Sequence, residues 1–402
     1  MKRFALYIVI IVSSLSVCRG QDDFGMKYRR NSVYSLLISH TEQQDYALLI
    51  RGQFLNIPIP DKYNDHNLSV NVVEVNNKNA ATDEAINSFI ADNKIASRMV
   101  AKWFNRDPRT GVCDMELVKN RGLYNASVFD QWLASKSIRG NVMLQDAGED
   151  LISNTYLIVN EVSYLDKGKV SHIVGLSIMT LVYVAYAAYG KTLSDENAEA
   201  IYKLVAGLKG FSVKITSRLY QLDWNEDIAN TFYSEYYTDT PDEAKRLAFE
   251  QHRDDFKMKY IGQVESKGNT TSFNGINEKQ PWLMVRKACE RAIDENIVDL
   301  QKEFPVFRVK SLITEVSAMV KVPIGKKDGV EAGKKYEVLE AVERNGRVVY
   351  QRVGVVTPNP TLIWDNRFMA VEEGAIGAEL GATSFVIISG SNIEKGMLIR
   401  EL

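Results

Sequence analysis

The chain has 402 residues, of which 45% are hydrophobic and 25% charged, with a formal net charge of -2. That is an ordinary globular composition, long enough for two or three cores of the usual domain size. A near-neutral, slightly acidic balance argues against a nucleic-acid role, leaving room for no more than a local basic patch.

Lys2 and Arg3 open the chain, Phe4 to Val12 is an unbroken apolar run, and Ser13, Ser14 and Ser16 lead to Gly20 before Gln21. This is the three-part pattern of a secretory signal peptide over residues 1–20, and it predicts export. Lipid attachment at Cys18 is one rival reading, though a lipobox wants a small residue where Val17 stands, and an uncleaved anchor is the other. Past the signal only Cys113 and Cys289 remain, too few for a disulfide scaffold. In an oxidising compartment the two can pair; the alternative is two isolated thiols, Cys289 lying on the apolar face of a predicted helix.

Residues 26–76 read as strands, with Tyr46–Ile50 and Leu68–Val75 rich in apolar and β-branched residues and Asn64, Asp65 and Asn67 marking turns. Pro58 and Pro60 cannot donate ladder hydrogen bonds and suit an edge. From Asp83 to Trp103 apolar residues recur at helical steps behind Thr82 as cap. A second helix is predicted from Ser127, through Trp132 and Leu133, to Leu151. Tyr156–Tyr164 begins apolar on both faces, as a central strand does. Phe211–Leu219 alternates, with Phe211, Val213, Ile215 and Leu219 inward and Lys214, Thr216 and Arg218 outward. Pairing these two strands makes 166–210 an excursion from a sheet. Helices are expected at 241–260 and 282–303. Pro305 marks a boundary, beyond which strands are predicted at Val306–Val316, Ala318–Pro323, Tyr336–Ala341, Arg347–Val356, Ser384–Ser389 and Met397–Glu401, with Asn345-Gly346 as a hairpin turn.

The excursion is the most unusual segment. Between Lys169 and Lys191 there is no acidic or basic residue other than His172. An apolar helical hairpin over about 166–210 is expected, with Ile173, Leu176, Met179, Val182, Tyr183, Tyr186 and Tyr189 as candidates for membrane or oligomer contact. A helix buried against the sheet has the same composition. The glycine- and lysine-rich loop Gly325–Lys335 reads as a solvated turn.

Chemistry-bearing patterns are sparse. The four histidines, His40, His66, His172 and His252, are not at metal-ligand spacing, and no nucleophile elbow is present. Asp65-His66 has the makings of a catalytic pair, but its neighbours read as turn chemistry. No catalytic, cofactor or metal-binding residue is therefore assigned.

The run Val309–Val316, Val320–Gly325, Lys327-Asp-Gly-Val-Glu-Ala-Gly333 and Tyr336–Leu339 resembles the C-terminal β-barrel module of flagellar assembly protein T, a periplasmic assembly factor. The upstream part, including Ile57–His66, looks like exported proteins of Gram-negative bacteria, and its strand–helix order is similar to that of the curli secretion channel's periplasmic domain. These resemblances carry no functional residue onto this chain. They imply a location in the periplasm or at the outer membrane.

The expected fold is α+β: a mixed sheet with helices and the inserted hairpin over 21–305, then a small β-barrel-like unit over 306–402. The expected function is that of a non-catalytic cell-envelope component that assembles, docks or oligomerises, its partners being other envelope proteins or further copies of itself. Two alternatives stand beside it: a membrane-inserting or pore-forming protein using residues 170–208, and a hydrolase with a dispersed site.

Overall fold

The computed structural model describes residues 31–40, 47–75, 82–124, 151–166, 194, 196, 199, 211–268, 281–344 and 347–402. The signal segment, the helix expected from Ser127, the Asn345-Gly346 turn and the apolar candidates from Ile173 to Tyr189 lie outside them.

The first unit is built on a six-stranded mixed sheet. Strand β1 (Asn31–His40) runs parallel to β2 (Tyr63–Asp65), β3 (Val72–Val75) and β4 (Thr155–Asp166). β2 and β3 share one edge of β1, while β4 takes the other and is followed by antiparallel β5 (Phe211–Leu222) and β6 (Met258–Gly268). The β4–β5 pairing is the one expected from sequence. β4 is central, and Tyr156 to Val159 are buried on both of its faces.

One face of this sheet is covered by α2 (Asp83–Asp92), α3 (Ile95–Trp103), α4 (Glu116–Tyr124), α5 (Glu226–Thr231) and α6 (Glu243–Gln251), whose core includes Met99, Trp103, Phe104, Leu157, Val159 and Phe249. Thr82 caps α2 as predicted, its hydroxyl accepting the Ala85 amide at 3.2 Å. The predicted single helix is broken at Lys94, whose φ of 51° places it in the left-handed region. The other face carries the 23-residue α7 (Pro281–Glu303) with α1 (Ala47–Asn56) beside it. Phe307, in a 3-10 turn after α7, is fully buried and stacks on Tyr63 at 5.1 Å, so the chain is pinned to the first core before it enters the second.

Several expectations are corrected. Ala47–Asn56 is a helix; a short apolar run does not distinguish helix from strand, and here its burial against α7 decides. The helix expected over 241–260 ends at Gln251, and the chain then becomes edge strand β6. Leu68–Val75 is a strand only from Val72. Arg218, expected outward, is buried on the α2 side, where Glu161 and Asp83 neutralise it. Cys113 and Cys289 form no disulfide: both are buried free thiols, Cys113 packed in the core under α3 and Cys289 on α7, with the sheet between them.

The second unit is a seven-stranded sheet curled into a half-barrel, in the order β7-β13-β10-β11-β12-β9-β8. Its strands are β7 (Ser311–Leu312), β8 (Glu315–Val316), β9 (Val320–Val322), β10 (Tyr336–Arg344), β11 (Arg347–Pro358), β12 (Thr383–Gly390) and β13 (Leu398–Glu401). The two edge strands β7 and β8 belong to one short segment. Ile313 donates to Met397 O at 2.8 Å on one side, and Thr314 donates to Lys321 O at 3.0 Å on the other. The curl is thus drawn together by a single stretch of backbone that serves both edges. Val320, Val322, Val338, Val356 and Phe385 fill the interior.

Candidate functional site

Of the ionisable residues singled out by sequence, His40, Asp65 and His66 are engaged in structure, and His172 lies outside the described residues. His66 is fully buried; its Nε2 lies 3.0 Å from Met99 O and its Nδ1 3.4 Å from Arg121 Nη1, while its ring stacks on Trp103. Burial, and then the Arg121 charge, hold its pKa down to about 3. Nε2–H is therefore the donor to Met99, and the ring is neutral. The Asp65 carboxylate is spent locally, accepting from Asn67 N at 2.9 Å, so Asp65 and His66 are not a working pair. His40 meets Glu161 at 2.7 Å, and Arg218 links Glu161 to Asp83, a chain of polar contacts joining β1, β4, β5 and α2. Among the described residues no group of three or more His, Cys, Asp or Glu side chains could hold a metal ion.

The loop from Gly325 to Lys335 is the solvated turn expected over its second half, where Glu331, Ala332 and Gly333 are exposed and Gly333 takes φ 86°. Its first half is the joint between the units. Asp328 accepts from Lys62 Nζ, Gly325 N and Asn366 Nδ2, each at 2.8 Å, and Lys62 comes from the approach to β2. These charge-assisted bonds outweigh the burial that would raise the Asp328 pKa, and the carboxyl is held below its ordinary value. Gly329, at φ 81°, lies against α7, where an added Cβ would stand 2.8 Å from Val298 Cγ1. Asp294 of α7 faces the same loop, and burial pushes its carboxyl up to about 7. Glu373 of the barrel unit also reaches back to α7, pairing with Lys287 and Arg291.

One uncovered edge of the barrel is apolar. β12 pairs with β9 only over Thr383–Phe385, whereas β11 continues alongside it to Gly390. From Val386 onward the outer edge of β12 has no strand partner among the described residues. Val386, Ile387 and Ile388 are 43%, 38% and 50% exposed. No charged residue occurs from Leu380 to Ile393. Natural sheet edges are ordinarily blunted by charge, proline or a covering element, and among the described residues none of these protects the exposed triplet. In the preceding loop Val371, Ile376 and Leu380 are exposed as well.

No family model matches the chain. A search of curated proteins likewise finds no significant relative. The strand carrying the triplet was predicted from sequence, but its exposure was not. The signal was available: three consecutive β-branched residues without polar alternation, in a stretch lacking any charge.

Proposed function

We propose that this chain is an exported, non-catalytic component of the cell envelope that self-associates by pairing the free edge of β12 with the same edge of a second copy. The observation that carries the reading is the uncharged, exposed edge Val386–Ile388. An antiparallel pairing of β12 with its copy joins like to like without charge repulsion and extends both curled sheets into one. Support for an envelope setting comes from the Lys2–Gly20 signal pattern and from the resemblance of the second unit to the barrel module of flagellar assembly protein T.

The test is the mass of the purified chain in solution, by light scattering, for wild type and Ile388→Lys. A dimer that becomes a monomer on substitution supports the reading. A wild-type monomer at high concentration, or a dimer indifferent to the lysine, refutes it.

A second reading, membrane insertion through residues 170–208, is favoured by the lack of acidic and basic side chains between Lys169 and Lys191, apart from His172. Among the described residues no helix is long and apolar enough to cross a membrane, and 170–193 lies outside them. Retention in the membrane pellet through a carbonate wash, lost on deletion of 170–208, would select this reading.

A further inference from the structure

On the α7 side of the first sheet there is a cleft of about 240 Å³, bounded by α1, β1, β4 and α7. Its walls combine apolar side chains, among them Phe54, Ile57, Ile158, Ile293 and Ile297, with polar ones in comparable measure: Ser35, Asp65, Asn67, Asn71, Asn160 and Asn296. Its polar groups are mostly uncharged, and the strand pattern explains how they come to be there. Ser35 of β1 and Asn160 of β4 point to the α7 face because their neighbours Leu36 and Val159 point to the other.

Asn160 is only 4% exposed and is held in one orientation. Its amide nitrogen donates to Ser35 Oγ at 2.9 Å and to Leu36 O at 3.1 Å, while its carbonyl accepts from Ser217 at 2.6 Å. Ser35 Oγ thus serves as acceptor to Asn160 and retains its own O–H to donate. On the opposite wall Asn296, 1% exposed, gives an amide N–H to Ser266 Oγ at 3.1 Å, and Ser266 donates to Asp299 at 2.7 Å. That chain fixes the Asn296 amide and leaves its carbonyl oxygen without a donor among the described residues. Among the polar groups of its lining, the cleft therefore offers one preset donor and one preset acceptor beside an apolar wall. Both positions open onto the cleft, where the polar edge of a ligand can meet them.

Charge narrows the choice of ligand. No lysine, arginine or histidine lines the cleft, so a phosphate or carboxylate entering it would be desolvated without compensation. The one ionised group in the lining, Asp65, is at work on the Asn67 amide. The volume is below that of a typical drug-sized pocket, which starts at about 300 Å³.

We propose that this cleft binds a small uncharged ligand with an apolar body and an amide-like edge, its carbonyl accepting from Ser35 and its N–H donating to Asn296. The proposal is independent of the β12 pairing.

The experiment is calorimetric titration of the full chain with two probes of the same apolar body, 2-naphthamide and 2-naphthoate. The expected result is one saturable site for the amide, with the carboxylate weaker by at least about tenfold. Ile293→Trp, which fills the cleft from α7, abolishes binding; if that variant melts early, Leu55→Trp at the rim does so instead. Ser35→Ala lowers amide affinity severalfold, and Ile388→Lys on the barrel leaves it unchanged. No saturable heat for the amide, which would make the cleft a water pocket, overturns the proposal. Equal binding of the two probes, binding untouched by a folded cleft-filling variant, or binding lost in Ile388→Lys would each overturn it as well.

Discussion

Lys62 and Asp328 meet at 2.8 Å with only 18% and 12% of their side chains exposed, joining the approach to β2 to the 3-10 turn after β9. Removing one partner leaves the other charge buried at the joint. Asp328→Ala is expected to cost about 3 kcal/mol, the lower end for a broken buried pair because both groups keep some solvent. The double change Lys62→Met with Asp328→Leu is expected to recover only part of it, since Gly325 N and Asn366 Nδ2 still lose their acceptor. Urea unfolding of the three proteins checks this; equal loss in single and double variants would contradict it.

Asp294 lies close to the same joint and gives it a pH dependence. Its carboxyl titrates at about 7 in the folded chain against an ordinary 3.8, so the unfolded state gives up its proton first. Stability from this group is full at low pH, falls as pH rises from about 4 to 7, and is flat above. The groups around it are Lys327 and Asp328 of the barrel loop and Glu290 and Arg291 of its own helix. Asp294→Asn should therefore melt higher than wild type at pH 8, with the two curves converging near pH 4. Parallel curves across that range would rule the account out.

His66 acts with the opposite sign. Its folded pKa of about 3 lies below the ordinary 6.5, so its contribution is full above pH 6.5 and drains as pH falls towards 3. A single such proton corresponds to roughly 1.4 kcal/mol per pH unit within the window. His66→Asn should flatten the acid limb of the stability profile, while Asp294→Asn steepens it. Measuring unfolding free energy at half-unit steps from pH 3 to 8 separates the two.

Gly329 combines a left-handed backbone with a contact on Val298 that leaves no space for a Cβ. Gly329→Ala is expected to destabilise by about 1–3 kcal/mol, since both strain and overpacking act. Gly333, at φ 86° with open space around it, should lose less on the same change. A thermal-melting comparison of the two variants tests the ranking, which fails if Gly333→Ala is the worse.

Much of the fold was legible where local pattern and tertiary environment agree. β4 and β5 were readable because Tyr156–Val159 is apolar on both faces and Val213, Ile215 and Leu219 alternate in a half-covered strand. α7 was readable because Cys289, Ala292 and Leu300 keep helical phase. α1 was not, since Ala47–Ile50 is too short a run to reveal its period. β6 was missed because Met258–Gly268 mixes polar and apolar residues around Gly262, where an added Cβ would collide with Phe304. The joint at Asp328 was invisible for a different reason. Its glycines and lysines have the composition of a surface turn, and only the distant Lys62 makes it an interior contact. The cleft under α7 was equally hidden, because Ser35, Asn160 and Asn296 converge only through strand pairing and helix packing.

The segment that serves both edges of the half-barrel has a mechanical corollary. Ser311 is registered against Ile399, so the strand by which the chain enters this unit lies antiparallel beside the one by which it leaves. Tension applied between the preceding helix and Glu401 would load that pair at one corner. Its hydrogen bonds would open one after another, as a zipper does, and the unit would yield at low force from that seam while β10, β11 and β12 were still paired.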